Sequence, residues 1–354
     1  MNIARYLTLP EDHQRDLILS GKLRKKLEPA SLEKDLFVCY FLHRAFACAG
    51  VGEHLTFKGG TSLSKAHAIT DRFSEDVDLV VDRNALGLSE DGIPGPQHSA
   101  RQQKERAKKI AKACHSWAAD VMIPKLREAM GADLAGRNWA LTIAPDNDNH
   151  ETNISFDFPR LFDAGSYLLP NVKVDLVAKA DIWPSQPMPI RSYLHELFPD
   201  ALGEGVFMAN TLHAERTMLE KALLLHEVLI QRPEGPRNRL ARHYYDLFFL
   251  CRAGITQLTM EVVSLYPAIV QQRSIYYRYS EVDYDALLSE GFSIIPQGAA
   301  REAWHQDYDG MSRDMFYGEV PTFNDVMKAM EEFETEFRAH LKRTNQTSTT
   351  PVAR

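Results

Sequence analysis

The chain has 354 residues and a formal net charge of −7, and 44% of its residues are hydrophobic. This composition excludes a disordered or fibrous chain, and the length suggests two domains. No apolar run approaches the ~20 residues of a membrane span, and the N-terminus has no apolar signal core. The four cysteines lie far apart without a CxxC pair, so reduced thiols and a cytoplasmic location are expected.

The first half of the chain is predicted to mix helices and strands. Apolar residues at helical spacing predict a helix that Ser31 caps and that ends before Gly50. A short strand over 54–58 leads into a glycine turn, after which Thr61 or Ser62 caps a second helix. Alternating acidic and apolar residues then predict a strand at 76–82.

A long helix is predicted over 98–131, and its section 101–127 carries eight Lys/Arg against two acids. The proline-rich segment DIWPSQPMP, further on, is expected to lack regular structure. Three more strands are predicted before it, at 139–145, 151–159 and 171–180.

From residue 214 onward the pattern is helical, with helices predicted at 214–230, 240–254 and 322–343. The sequence therefore predicts an α+β fold: a mixed sheet flanked by helices, followed by a helical C-terminal domain. The predicted divisions are an N-terminal helical segment at 1–50, a catalytic domain at 51–200, a helical domain at 201–343 and a disordered tail at 344–354.

The most informative stretch is KGGTS at 58–62 followed by SEDVD at 74–78. Asp76 and Asp78 are two residues apart on a strand, so both carboxylates project from one face. Mg²⁺ relieves the repulsion between such carboxylates and fills its shell with phosphates and water. A glycine turn at a helix start presents backbone N–H groups that suit phosphate. Each feature alone also fits a solvated strand face or a simple turn.

In this order, KGGTSLSK and RFSEDVDL resemble the nucleotidyltransferase toxins of the AbiEii type, within the DNA polymerase beta-like nucleotidyltransferase superfamily. The resemblance implies a nucleotidyltransferase fold, an NTP donor and Mg²⁺. It implies that Asp76 and Asp78 hold metal. The residues expected to contact the β- and γ-phosphates of the nucleotide are Gly59, Gly60, Thr61, Ser62 and Lys65.

The superfamily also implies a third carboxylate on a neighbouring strand. Asp175, in VKVDLVAKADIWPS, alternates with apolar residues and is the preferred candidate for this metal ligand. Asp157, in ISFDFP, is the rival. The alternative for both is a cap or an ion pair at the sheet edge.

Two motifs in the second half extend the resemblance, ERTMLEKALLLH and RHYYDL. Lys221 and Asp246 lie on successive amphipathic helices, and an acid beside an apolar run needs a partner, so an ion pair between them is expected. The family resemblance implies that Lys221 contacts nucleotide phosphates and that Asp246 is essential because it holds Lys221. The alternative for Lys221 is a solvated helix surface.

The resemblance thus implies a toxin that transfers a nucleoside monophosphate to an acceptor, with the 3′ end of tRNA as the favoured one, and so arrests growth in toxin–antitoxin or abortive-infection phage defence. The implied partners are the NTP, an RNA acceptor and an AbiEi-like antitoxin that acts without a stable complex; no membrane is involved. The basic section 101–127 either follows RNA phosphates or is only a soluble helix flank.

Two other activities fit the same carboxylates. One is a metal-dependent nuclease, and the other is an antibiotic-modifying nucleotidyltransferase. A nuclease needs no NTP, so incorporation of labelled NTP into RNA separates it from the toxin. The antibiotic-modifying enzyme would need a small-molecule pocket and gives no reason for the basic section 101–127.

Overall fold

A computed structural model describes residues 3–89, 92–145, 152–163, 169–257, 260–312 and 315–348. The chain divides into two compact units, one of residues 1–94 with 104–213 and the other of 95–103 with 214–354. The first unit holds a mixed sheet with helices, and the second is helical in its described part. The predicted α+β class is therefore confirmed.

The sheet has seven strands in the order β3-β4-β5-β2-β1-β7-β6. The pairs β1–β7 and β2–β5 are parallel, and the other four pairs are antiparallel. The strands are β1 (Leu55–Lys58), β2 (Asp76–Val81), β3 (Ala140–Ile143), β4 (Thr152–Asp157), β5 (Val172–Val177), β6 (Ser185–Ile190) and β7 (Phe207–Leu212).

The expectation that DIWPSQPMP lacks regular structure is wrong, because β6 begins within it and pairs along its length with β7. Pro187 and Pro189 are tolerated because β6 is the last strand of the sheet, and proline is confined to edge strands. The sequence analysis did not predict β7. That strand lies beyond residue 200, where the catalytic domain was predicted to end, and it pairs with β1.

The helices of the chain before β7 have these bounds: α1 (Ile3–Thr8), α2 (Glu11–Lys25), α3 (Pro29–Ala47), α4 (Gly59–Lys65), α5 (Ala100–Trp117), α6 (Ile123–Asp133), α7 (Tyr193–Leu197) and α8 (Pro199–Leu202). The helix predicted over 98–131 is split into α5 and α6 by a π-helical turn at Ala118–Met122. The turn widens just before Pro124, which has no N–H to give to the preceding turn.

Two predicted helix caps are wrong. Ser31 lies inside α3, which begins at Pro29, a residue whose fixed φ suits the first helical turn. Thr61 and Ser62 lie inside α4, which begins directly at Gly59. The hydroxyls of Thr61 and Ser62 can therefore form hydrogen bonds other than a helix cap.

The core of the first unit lies on one face of the sheet. Phe156 of β4 packs against Phe37 of α3, with ring centroids 6.2 Å apart. Cys114 of α5 lies on the same face, with its Sγ 3.9 Å from Thr152 Oγ1. Because side chains alternate along a strand, the residues between these apolar positions project from the opposite face.

The second unit contains six described helices: α9 (Ala214–Gln231), α10 (Arg242–Arg252), α11 (Met260–Tyr276), α12 (Tyr284–Glu290), α13 (Gly298–Ser312) and α14 (Phe323–Ser348). The predicted helices at 214–230 and 240–254 correspond to α9 and α10. The tail was predicted from residue 344, but α14 continues to Ser348, and residues 349–354 lie outside the described residues. Within the described ranges, no helix is long and apolar enough to cross a membrane.

Candidate active site

Three acidic side chains share the sheet face opposite the one that packs against α3 and α5. Asp76 and Asp78 are half-buried on β2, and the intervening Val77 is fully buried on the other face. Asp175 of β5 lies directly opposite Asp78 in the parallel ladder. Neighbouring strands are about 4.8 Å apart, so the structure brings the Asp78 and Asp175 backbones together as adjacent positions of one face.

Asp157, the rival third acid, lies elsewhere. It is the last residue of β4 and pairs with Ala140 of β3. The β4 residue opposite Asp175 is Asn153, four positions and about 13 Å back along the strand. The register therefore favours Asp175 over Asp157 as the companion of Asp78.

A lysine sits among these acids. Lys173 is opposite Asp76 in the ladder, and its Nζ lies 2.8 Å from Asp175 Oδ2. Only 17% of the Asp175 side chain is exposed, so this ion pair is partly shielded from water. Lys173 thereby orients the carboxylate of Asp175, a role that the sequence analysis did not assign to it.

The glycine turn is packed against the second of these acids. Gly59 has φ +80°, a conformation that favours glycine, and a Cβ at this position would overlap Asp78 Oδ2. At Gly60, a Cβ would overlap the guanidinium of Arg72, which is 2% exposed. Both glycines are thus required for close approach. Arg72 stands in the RFSEDVDL motif but was not among the predicted site residues.

The hydroxyls after the glycines make internal hydrogen bonds. Thr61 Oγ1 donates to the carbonyl oxygen of Asp76 and lies 2.8 Å from Ser74 Oγ. Ser62 Oγ donates to the Gly59 carbonyl oxygen at 2.8 Å. Both residues are fully buried. What this turn can offer to phosphate is therefore backbone N–H groups of the first helical turn.

Lys65 was predicted to contact nucleotide phosphates, and its surroundings argue against that role. Its Nζ lies 2.7 Å from Asp35 Oδ1 and 3.5 Å from the centroid of the Tyr193 ring. The side chains of Lys65 and Asp35 are each 4% exposed. An ammonium paired and covered in this way joins α4 to α3 and is not presented to a ligand in water.

The second unit contains the predicted pair of Lys221 and Asp246. Lys221 Nζ lies 2.8 Å from Asp246 Oδ2, and the side chains are 8% and 0% exposed. His243 Nδ1, one helical turn before Asp246, is 3.3 Å from the same Nζ. The predicted contact between α9 and α10 is confirmed, and the alternative of a solvated Lys221 is excluded.

Further contacts fix these two helices. Arg216 is 1% exposed; its Nε donates to Glu220 Oε1 at 3.0 Å and its Nη2 to Gln272 Oε1 at 2.7 Å. Asp307 of α13 accepts the backbone N–H groups of Arg239 and Ala241 at 2.6 and 2.8 Å. The segment that leads into α10 is therefore held at its backbone.

Sequence analysis also missed three consecutive charged residues of α3. Glu33, Lys34 and Asp35 are 1%, 1% and 4% exposed. Glu33 accepts the backbone N–H groups of Leu161 and Phe162, and burial raises its pKa to about 7 despite these bonds. Three charges within an apolar helical run were the available signal, because charges inside a buried helix must be paired.

The carboxylate oxygens of this sheet face are ligands of the kind that Mg²⁺ prefers. Within the described ranges, no group of three or more His, Cys, Asp or Glu side chains is placed to hold a metal ion. Asp76 and Asp78 nevertheless fit one as a pair, because Mg²⁺ accepts one or two protein carboxylates and completes its shell with water and substrate phosphates. Asp175 as a metal ligand stays a prediction.

Comparison with known proteins decides the family. The model of the nucleotidyl transferase AbiEii toxin family, of type IV toxin–antitoxin systems, matches residues 40–335. The chain belongs to the AbiEii family. A structure comparison finds MenT4, a nucleotidyltransferase toxin from Mycobacterium tuberculosis H37Rv, at 16% identity and a TM-score of 0.49, over 93% of this chain and 92% of that chain. No curated protein matches the sequence.

As a member of the AbiEii family, the protein is a nucleotidyltransferase toxin of a type IV toxin–antitoxin system. The family implies an NTP as substrate and an antitoxin as partner. The family assignment confirms the resemblance drawn from KGGTSLSK and RFSEDVDL.

Proposed function

We propose that this AbiEii protein transfers a nucleoside monophosphate from an NTP to the 3′ end of tRNA and thereby arrests growth, as a phage-defence toxin. The observation that carries the proposal is the register of Asp78 opposite Asp175, beside a glycine turn that touches Asp78. This arrangement places carboxylates and backbone N–H donors close together near the start of β2. A reaction between a triphosphate and a hydroxyl requires both kinds of group.

In the proposed reaction, the acceptor hydroxyl oxygen forms a bond to the α-phosphorus. The bond from that phosphorus to the bridging oxygen breaks, and pyrophosphate leaves with the electron pair. Asp175 accepts the hydroxyl proton while Lys173, 2.8 Å away, keeps its carboxylate oriented. Asp76 and Asp78 would hold Mg²⁺, which when bound neutralises charge on the phosphate oxygens.

The phosphates would be bound by groups of two kinds. Backbone N–H groups of the turn at Gly59 and Gly60 offer neutral donors, and Lys221 offers a positive charge. Asp246 would act through Lys221, because it fixes the ammonium at 2.8 Å. An AbiEi-like antitoxin would act without a stable complex with the toxin, and the use of NTP suits the cytoplasm.

The test is incubation of the purified protein with total tRNA, Mg²⁺ and each of the four α-labelled NTPs in turn. We expect label at the 3′ end of RNA with at least one NTP, release of pyrophosphate, and no label with Asp78→Asn or without Mg²⁺. A matched control is Asp157→Asn, which removes an acid from the same sheet and is expected to retain transfer. Induced in a bacterial host, the wild type should arrest growth and Asp78→Asn should not.

The same reactions expose the alternatives. Shortened RNA in the absence of NTP would indicate a nuclease and overturn the proposal. When an aminoglycoside is added to the same mixture, label on the aminoglycoside and none on RNA would indicate an antibiotic-modifying enzyme. Label on RNA that persists in Asp78→Asn would leave the transferase intact and refute the assigned site.

A further inference from the structure

The start of β2 is tied to α3 by a buried ion pair. Lys34 Nζ lies 2.5 Å from Glu75 Oε2, and the two side chains are 2% and 7% exposed. The Lys34 ammonium also donates to the Leu169 carbonyl oxygen at 3.0 Å, and the Leu169 N–H is 3.4 Å from the same Glu75 oxygen. Lys34 thus binds two groups, the carboxylate of Glu75 and the backbone carbonyl oxygen of Leu169.

Glu75 directly precedes Asp76 along the chain. Glu75 is buried and reaches Lys34 of α3, and Val77 is buried in the core, whereas the half-buried Asp76 and Asp78 project from the other face of β2. The sequence Ser-Glu-Asp-Val-Asp offers acids at 75, 76 and 78, so acidity alone does not decide which carboxylates reach the site face. A shift of β2 by one residue would turn Asp76 and Asp78 towards the core and would bring Glu75 and Val77 to the site face.

We propose that Lys34 is a positioning residue for nucleotidyl transfer: its ion pair with Glu75 sets the register of β2, and so keeps Asp76 and Asp78 on the site face. This inference rests on the proposed function, because it gives Lys34 a role through the two carboxylates to which that function assigns the metal. In Lys34→Met the buried Glu75 carboxylate loses this ion pair, and a one-residue shift of β2 would carry it to water.

The same helix provides a matched control. Arg44, also on α3, forms an ion pair with Asp133 of α6, and these side chains are 28% and 17% exposed. That pair touches neither β2 nor the glycine turn. Arg44→Met therefore removes a cation and an interhelical ion pair of α3 while leaving the start of β2 unchanged.

The experiment compares the full-length wild type, Lys34→Met, Arg44→Met and the double variant Lys34→Met/Glu75→Gln. Hydrogen exchange of peptides covering 74–81 reports the β2 ladder, Mn²⁺ binding followed by electron paramagnetic resonance reports the carboxylates, and labelled-NTP transfer reports activity. Lys34→Gln, which retains a donor but not the charge, replaces Lys34→Met if the latter does not fold.

In Lys34→Met we expect β2 to lose its protection from hydrogen exchange. We also expect the Mn²⁺ affinity to be at least about 10-fold lower than in the wild type. The double variant should recover both, because the buried charge is gone, and Arg44→Met should show neither loss. The proposal is overturned if β2 protection and Mn²⁺ affinity in the folded Lys34 variant equal those of Arg44→Met. If the wild type neither binds Mn²⁺ nor transfers nucleotide, the proposed function fails, and hydrogen exchange still decides the register.

Discussion

Lys221 and Asp246 form a buried ion pair, 2.8 Å from Nζ to Oδ2, that joins α9 to α10. The Asp246 side chain is wholly covered, so its charge depends on Lys221 and on the neighbouring groups of α10. The pair therefore has two separable consequences: stability of the helical unit, and a fixed position for the Lys221 ammonium.

Replacing Lys221 by Met is expected to lower the free energy of unfolding by about 3–5 kcal/mol, because it breaks the ion pair of a buried carboxylate. The double variant Lys221→Met/Asp246→Leu should recover most of that loss, since it removes both charges. Neither variant should transfer nucleotide. Urea denaturation and labelled-NTP incorporation measure the two effects separately.

An exposed pair on the same helix is the control. Arg252 Nη1 of α10 lies 2.6 Å from Glu319 Oε2, with side chains 49% and 61% exposed. Arg252→Ala should change the free energy of unfolding by less than about 1 kcal/mol. A double variant at 221 and 246 that is stable and fully active would show that Lys221 has no part in the reaction.

Gly59→Ala is expected to lower nucleotide transfer about 100-fold, because the new Cβ displaces the Asp78 carboxylate from its position. It should also cost about 1–2 kcal/mol from the positive φ. Gly136→Ala separates the two causes: Gly136 has φ +75°, but a Cβ there meets nothing within 4 Å. That control should lose similar stability and keep its activity; equal activity loss in both would contradict the proposed contact.

The buried Glu33 predicts a pH-dependent stability. The unfolded chain releases this proton near pH 4.5 and the folded chain near pH 7, so the folded state binds more protons in between. The contribution of Glu33 to the free energy of unfolding therefore falls by about 3 kcal/mol as the pH rises through this window. Burial lowers the pKa of His43 and of His195, and these two groups make an opposite contribution in every variant. Denaturation at about pH 5 and pH 8 should therefore show a larger fall, or a smaller rise, in the wild type and in Glu28→Gln than in Glu33→Gln.

The exposed lysines of α5 are expected to bind RNA phosphates away from the reacting end. α5 packs on the sheet face opposite Asp78, as the contact of Cys114 with Thr152 shows. Replacement by Gln should weaken RNA binding without lowering the rate at saturating RNA, and should reduce the salt dependence by about 0.7–0.9 per lost contact. The variant carries four changes, at Lys104, Lys108, Lys109 and Lys112.

A second variant with the same net charge distinguishes a local surface from overall charge. It replaces four scattered exposed cations by Gln: Arg5, Lys26, Lys328 and Lys342. Binding measured across a range of salt concentrations should match the wild type in slope. If the slope of RNA binding against salt concentration is the same in both variants, α5 is an ordinary solvated helix with no specific part in RNA binding.

Local patterns predicted the part of the site that depends on local geometry. The alternation of acids and valines placed Asp76 and Asp78 on one strand face, and helical spacing beside an apolar run paired Lys221 with Asp246. The opposition of Asp78 and Asp175 could be expected only from the family resemblance, because strand order is a long-range property.

Other features depended on tertiary contacts that no local pattern encodes. β6 was missed because two prolines look unlike a strand until its place at the sheet edge is known. Lys65 looked available for phosphate because its partner, Asp35, lies 30 residues earlier. The covered charges at 33–35 could be read as a helix surface, because their partners Leu161, Glu75 and Lys65 lie far along the chain.

The prolines of β6 have a consequence for the behaviour of the protein at high concentration. β6 is the last strand of the sheet. It pairs with β7 along its whole length, from Ser185 to Ile190, and only on one side. On its outer side, Pro187 and Pro189 have no N–H with which to recruit another strand. Growth of the sheet by edge-to-edge joining of two copies is therefore disfavoured at this border.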